Sequence, residues 1–241
     1  MTEHSPHPVG MQAQTDVGLK NFMLGTYRWM AVAMAFSGLV AFYFANNPAL
    51  IYGLFSAGPF VPLIAVAAIF FGFMFVGRAL PRMSKGATIA FLFAMAGVLG
   101  MFMSATLLVY PGMLIAKVFF MTVALFATLS MFGFTTERNL WGIAKYAAAI
   151  FMGGIVYLLL SNFVPAMAPT GGMEMIFSLV MLVAIAILVA WETQAMKAMY
   201  YGSVGNMALM QKLSIFGAAS LLLSFYNMFQ FLLNIMGSFG E

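Results

Sequence analysis

This 241-residue chain contains no cysteine and very little charge, because only 7% of its residues are Asp, Glu, Lys or Arg. Without cysteine, neither a disulfide nor a thiolate metal site can form. Soluble domains carry about 25% charged residues, so this chain has too few to cover a surface in water. The lipid bilayer must therefore be its solvent.

Histidine and familiar catalytic motifs are scarce as well. The two histidines, His4 and His7, lie in the polar N-terminal stretch, which excludes histidine-based catalysis and metal binding from the apolar remainder. No HExxH, GxSxG or phosphate-loop pattern occurs, and the basic residues form no cluster with interleaved aromatics. We expect no enzyme activity, no cofactor and no nucleic-acid partner.

Apolar sequence is abundant, and it falls into runs long enough to cross a bilayer, which takes about 20 residues. We predict an all-α integral membrane protein, a bundle of seven transmembrane helices. The third and fourth helices, joined at Pro111 and Gly112, are expected to form a tight hairpin. Residues 1–20 are predicted to be a flexible tail, and residues 21–241 a single membrane domain. The predicted helices cover about residues 27–45, 59–80, 87–110, 113–134, 142–163, 173–196 and 207–236.

The distribution of lysine and arginine predicts how the bundle is oriented, because basic residues concentrate in cytoplasmic loops. All but one of the ten basic residues fall on the side of the bundle that carries the N-terminus. We therefore predict a cytoplasmic N-terminus. Several basic residues near helix ends are expected to reach the membrane interface with their long side chains: Lys117, Arg138, Lys145 and Lys212.

Glu192 is the acidic residue most closely tied to an apolar run, since it follows the stretch from Met175 to Trp191 without a break. An ionisable group in a membrane helix is a functional hypothesis by default. It is expected near the cytoplasmic boundary, where it is either a proton or cation site or an interfacial residue paired with Lys197. Arg78, near the end of the second helix, could reach the membrane interface with its long side chain or turn inward to meet Glu192.

The seventh predicted helix carries a polar stripe. Its members share one helical face and must point into the bundle: Ser220, Ser224, Asn227 and Asn234. They could form interhelical hydrogen bonds or line a narrow aqueous path. We favour a path lining for Ser224 and Asn227, and a structural contact for Asn234.

Four segments together resemble the transmembrane Bax inhibitor motif family, in its bacterial branch. They occur in the family's order and span most of the chain: "GLKNFMLGTYRWMAVAMAFSGLVA", "KVFFMTVALFATLSMFGFTTERNL", "AWETQAMKAMYYG" and "AASLLLSFYNMFQFLLNIMG". The resemblance implies a seven-helix fold in the bacterial inner membrane, with the last helix near the bundle centre.

The resemblance also implies a pH-sensitive calcium leak, gated by two aspartates that share a proton on the last two helices. In this chain Glu192 and Ser224 occupy those positions, so a shared-proton pair of acids cannot form there. The gate and ion-pathway candidates are Glu192, Ser224, Asn227 and Arg78. Glu192 could also make a weak Ca²⁺ site.

Two hypotheses about function follow from the residues and the resemblance. The first is a calcium or cation leak channel whose pH gating is altered or lost. The alternative is a protein without channel activity that binds and modulates a membrane-bound quality-control protease or another membrane machine, through the polar tail of residues 1–20.

Overall fold

The computed structural model describes residues 9–56, 58 and 60–239. The chain is 87% helical, and the described residues contain no β-strand. A short 3₁₀ turn, Pro165–Met167, precedes the seventh helix. The α-helices are α1 (Val9–Ala45), α2 (Pro48–Phe55), α3 (Phe60–Ala79), α4 (Lys85–Val109), α5 (Gly112–Thr135), α6 (Trp141–Ser161), α7 (Gly172–Gly202) and α8 (Met207–Ser238).

Seven of these helices are long and apolar enough to cross a membrane, and α2 is the exception. The prediction of an all-α seven-helix membrane protein is therefore confirmed. Local sequence explains where helices begin: the Ser84 side chain accepts a hydrogen bond from the Ala87 amide at 3.1 Å, which caps α4. Asn206 caps α8 in the same way through the Leu209 amide, at 3.0 Å. Such side chains satisfy amides that have no partner within the helix.

The first helix begins earlier than the sequence predicted. Helix α1 starts at Val9, so residues 9–20, which were predicted to belong to the tail, are helical; residues 1–8 lie outside the described residues. The side chains of Leu19 and Phe22 are buried in the core, and a Cβ on Gly18 would meet the Tyr200 hydroxyl of α7. This packing against α7 extends the helix beyond its apolar run.

Helix α8 occupies the centre of the bundle, as expected. It packs against α1, α4, α5 and α7, and 56% of its apolar segment is buried, against at most 39% in any other spanning helix. Because protein surrounds α8, it can carry polar side chains that a lipid-facing helix could not.

The predicted hairpin of α4 and α5 is wrong. These two helices are joined through Tyr110 and Pro111, yet over their full lengths they pack against α8 and not substantially against each other. A short connection fixes where the next helix starts but not its direction. The central helix separates the two.

Two helix pairs approach at backbone distance. A Cβ on Gly100 of α4 would lie 2.5 Å from the Ser37 carbonyl oxygen of α1. A Cβ on Gly133 of α5 would overlap the Ala190 carbonyl oxygen of α7. Both contacts need glycine, because any side chain would push the helices apart.

Candidate functional site

Glu192 of α7 is hydrogen-bonded to two serines of α8. The Ser220 hydroxyl lies 2.9 Å from Glu192 Oε1, and the Ser224 hydroxyl lies 2.7 Å from Glu192 Oε2. Ser224 is buried, while Glu192 and Ser220 are partly buried. We call this arrangement the acid–serine contact. It joins the two helices that the sequence singled out, and it includes Ser220 as well as the expected Ser224.

The acid–serine contact lies within the length of both helices and not at the end of either. Helix α7 continues for about ten residues, or about 15 Å, past Glu192 to its end at Gly202. Ser220 and Ser224 lie halfway along α8. The expected position of Glu192 near the cytoplasmic boundary stays a prediction.

Two of the predicted site residues do not contact Glu192. Arg78 is exposed in the last turn of α3, and no hydrogen bond or ion pair connects it to the carboxylate in the described part of the chain. The Asn227 amide donates to the Leu223 carbonyl oxygen of its own helix at 2.9 Å. Arg78 does not turn inward to meet Glu192, because the helix that carries it packs mainly against α4.

Two lysines on the last two helices are engaged away from Glu192. Lys197 Nζ donates to the Phe134 carbonyl oxygen at 2.7 Å, near the end of α5. Buried Lys212 donates to the carbonyl oxygens of Pro81 and Met83, at 3.0 and 3.2 Å. Lys212 therefore closes the α3–α4 turn and is not the interfacial anchor that was expected. Ammonium groups suit such carbonyls, which have no partner within a helix.

The two residues that follow Glu192 connect α7 to its other neighbours. The Thr193 hydroxyl lies 3.3 Å from the Ser130 hydroxyl of α5. Gln194 accepts a hydrogen bond from the Leu140 amide at 2.9 Å and donates to the Arg138 carbonyl oxygen at 2.8 Å. Sequence reasoning assigned no role to these residues. The only signal was their place in the quoted "AWETQAMKAMYYG" segment, since backbone partners in a turn leave no mark in a sequence.

Further along α8, polar side chains contact α4 and carry no formal charge. Gln230 Nε2 lies 3.2 Å from the Thr106 hydroxyl and 3.3 Å from the Tyr226 hydroxyl. The Tyr110 hydroxyl donates to Asn234 Oδ1 at 3.3 Å. We call these the neutral contacts. They support the expectation that Asn234 makes a structural hydrogen bond between helices.

The acid–serine contact offers a restricted chemistry. Among the described residues, no group of three or more His, Cys, Asp or Glu side chains could hold a metal ion. One carboxylate and two hydroxyls supply at most four oxygens, whereas Ca²⁺ takes six to eight. The residues present do not fit a resident metal. They can accept and release one proton, or meet a passing cation.

Fold and site together define a polytopic α-helical membrane protein with a carboxyl group hydrogen-bonded between its last two helices. The model of the family described as "Inhibitor of apoptosis-promoting Bax1" matches residues 19–241. The chain belongs to this Bax inhibitor family, as the sequence motifs indicated.

Three relatives place the chain among bacterial members. An uncharacterized protein of Rickettsia prowazekii is 31% identical over 92% of both chains. One of Caulobacter vibrioides is 29% identical over 94% of this chain and 92% of its own. The inner membrane protein YbhL of Escherichia coli is 27% identical over 93% of this chain and 94% of its own. With its seven spanning helices, the chain is an integral protein of the bacterial inner membrane.

Proposed function

We propose that this protein is a calcium or cation leak protein whose path runs between α7 and α8 and is closed by the acid–serine contact. The observation that carries the proposal is the pair of hydrogen bonds from Ser220 and Ser224 to the two oxygens of Glu192. An ionisable side chain inside a membrane bundle is costly to keep and is found where ions or protons move.

The serines change how such a contact depends on pH. Two carboxylates at this distance repel each other when both are ionised and hold together when they share a proton. A serine hydroxyl can either donate or accept a hydrogen bond, so it remains a partner for Glu192 in both protonation states. The contact should therefore restrict the path to a similar extent over a wide pH range, so that the leak through it changes little with pH.

A cation would meet Glu192 only briefly under this proposal. The oxygens of Glu192, Ser220 and Ser224 are too few to replace the ligand shell of Ca²⁺. A site that binds weakly suits passage, because conduction requires that an ion can also leave. This is how we interpret the weak Ca²⁺ site predicted at Glu192.

Calcium flux into liposomes, measured with an enclosed calcium dye, tests the proposal. We expect Glu192→Gln to reduce flux about tenfold, which is the effect of about 1.4 kcal/mol on an occupancy or barrier. The matched control is Glu174→Gln, which removes the exposed acid at the opposite end of α7 and should leave flux unchanged. Wild-type flux no greater than that of empty vesicles would contradict the proposal.

A second variant tests the role of the serine. Ser224→Asp places two carboxyl groups within hydrogen-bond reach, so their repulsion grows as both ionise with rising pH. We expect its flux to rise with pH by about tenfold, while wild-type flux changes little over the same range. A flat profile in this variant would show that the α7–α8 contact does not control the path.

The alternative hypothesis, that the protein modulates a membrane-bound protease, rested on the polar tail of residues 1–20 and on the missing second acid. Because α1 begins at Val9 and Leu19 is buried, less of this tail lies outside a helix than the sequence predicted. We prefer the leak hypothesis because it also accounts for the carboxyl group held between α7 and α8. Comparing proteins recovered from membranes with the full chain and with a chain lacking residues 1–8 would test the alternative, and identical sets would count against it.

A further inference from the structure

A cavity of about 470 Å³ lies between α1 and α5, and the central helix forms its floor. The walls include Met23, Met30 and Met34 from α1 and Met131 from α5, with Phe225 of α8 behind them. Methionine side chains are flexible and adapt to apolar partners of irregular shape. The cavity therefore suits a flexible apolar ligand.

The cavity opens sideways, toward the surface that faces lipid. Three of its lining side chains are well exposed: Leu24 at 42%, Val123 at 40% and Met131 at 64%. Helices α1 and α5 both pack against α8 and not substantially against each other. A bilayer would thus supply hydrocarbon chains directly at this opening. We call the cavity with its opening the α1–α5 groove.

One end of the α1–α5 groove carries positive charge. Exposed Lys20 lines that end. Phe134 lines it from α5, and Lys197 Nζ lies 5.1 Å from the centroid of the Phe134 ring. No acidic residue lines the groove in the described part of the chain. Basic sites between membrane helices bind the head groups of anionic lipids.

The groove is long, apolar and open along one side. From Lys20 to Met34 it follows α1 for about 21 Å. An extended acyl chain can lie along it with its charged head group at the Lys20 end. The basic end, with no acidic residue lining the groove in the described part of the chain, favours an anionic lipid over an apolar partner helix as the occupant.

We propose that the α1–α5 groove binds one anionic phospholipid, with an acyl chain along the methionine wall and the phosphate beside Lys20 and Lys197. The groove supplies van der Waals contacts to the acyl chain, and the two ammonium groups supply preference for negative charge. The site lies next to the acid–serine contact along the chain, since Phe225 follows Ser224. It does not depend on the leak hypothesis.

Native mass spectrometry of the purified full chain, with phosphatidylglycerol or phosphatidylethanolamine added, tests this site. We expect wild-type protein to retain one phosphatidylglycerol with about tenfold preference over phosphatidylethanolamine. Ala127→Phe, which fills the groove from α5, should lose that lipid. The matched control, Ala124→Phe, changes an exposed alanine of the same helix outside the groove and should retain it.

Further variants keep the test decisive. Ala31→Phe fills the groove from α1, so it replaces Ala127→Phe if that chain does not fold. Lys20→Gln should lower the preference for phosphatidylglycerol about tenfold, whereas Lys145→Gln, an exposed lysine on α6, should not. Equal retention of both lipids by wild-type protein, or full retention of phosphatidylglycerol by the filled variants, would overturn the proposal.

Discussion

Polar side chains of α8 meet different partners at two places along the helix. Near the middle, Ser220 and Ser224 hold a carboxyl group of α7 at 2.9 and 2.7 Å. Toward the C-terminal end, Gln230 meets the Thr106 hydroxyl of α4 at 3.2 Å, and Asn234 meets the Tyr110 hydroxyl just beyond α4 at 3.3 Å. The first contact includes a carboxyl group, and the others join only amides and hydroxyls.

This difference bears on the proposed leak. Neutral hydrogen bonds between membrane helices contribute about 0.6 kcal/mol on average, and hydrogen bonds to charged groups contribute about 1.5–3 kcal/mol. Under the leak proposal, the acid–serine contact in the middle of α8 closes the path, and the neutral contacts hold the C-terminal half of α8 against its neighbours.

The largest effect is expected from a variant that removes both donors of the acid–serine contact. In the double variant Ser220→Ala/Ser224→Ala, the Glu192 carboxyl group stays in the bundle without its hydrogen-bond partners. Leaving one polar group unpaired costs more stability than replacing both partners by apolar groups. We expect the free energy of unfolding in mixed micelles to fall by about 3 kcal/mol. The control is Ser161→Ala, which loses only a hydrogen bond to its own helix. An equal loss of unfolding free energy in the double serine variant and in Ser161→Ala would show that the acid–serine contact is no stronger than a hydrogen bond within one helix.

Replacing both partners of a neutral contact should have a smaller effect. Thr106→Val/Gln230→Leu substitutes apolar groups of similar shape, and such paired replacements are nearly neutral. The Gln230 contact with Tyr226 is lost as well, so we expect a decrease of about 1 kcal/mol or less in the free energy of unfolding. Calcium flux should stay at the wild-type level. A large drop in flux would show that this half of α8 also belongs to the path.

The smallest effect is expected from a variant that removes a single neutral contact. Tyr110→Phe removes one hydroxyl from its contact with Asn234, which is long at 3.3 Å. We expect a loss of about 0.5 kcal/mol in the same unfolding measurement. A loss as large as that of the double serine variant would mean that the neutral contacts are not weaker than the acid–serine contact.

The spanning helices could be predicted from sequence because the thickness of the bilayer sets the length of each apolar run, and turn residues mark where the run ends. Five of the seven were placed within about two residues at both ends. The exceptions, α1 and α7, continue beyond their apolar runs because tertiary contacts cover the extra turns: Leu19 is buried in the core, and Gln194 and Lys197 bind the end of α5 and the turn after it. Hydropathy does not record such partners.

The candidate site was predictable only in part. Glu192 and Ser224 came from the family motifs, and helical spacing placed Ser220 on the same face of α8. Arg78 does not meet Glu192, and charge and depth along a helix do not say which helices are neighbours. The turn partners of Gln194 and Lys212 are backbone carbonyls, and every residue type has one. The sequence therefore carries no signal for them.

The contact between Gly133 and Ala190 has a consequence for how α7 can move. A carbonyl oxygen of α7 lies where a side chain of α5 would begin, so backbone atoms set this spacing, and no change of rotamer can alter it. Glu192 is only two positions beyond Ala190 in the sequence. A tilt of α7 relative to α5 that preserves this contact would pivot at Ala190, and the two ends of α7 would then swing in opposite directions.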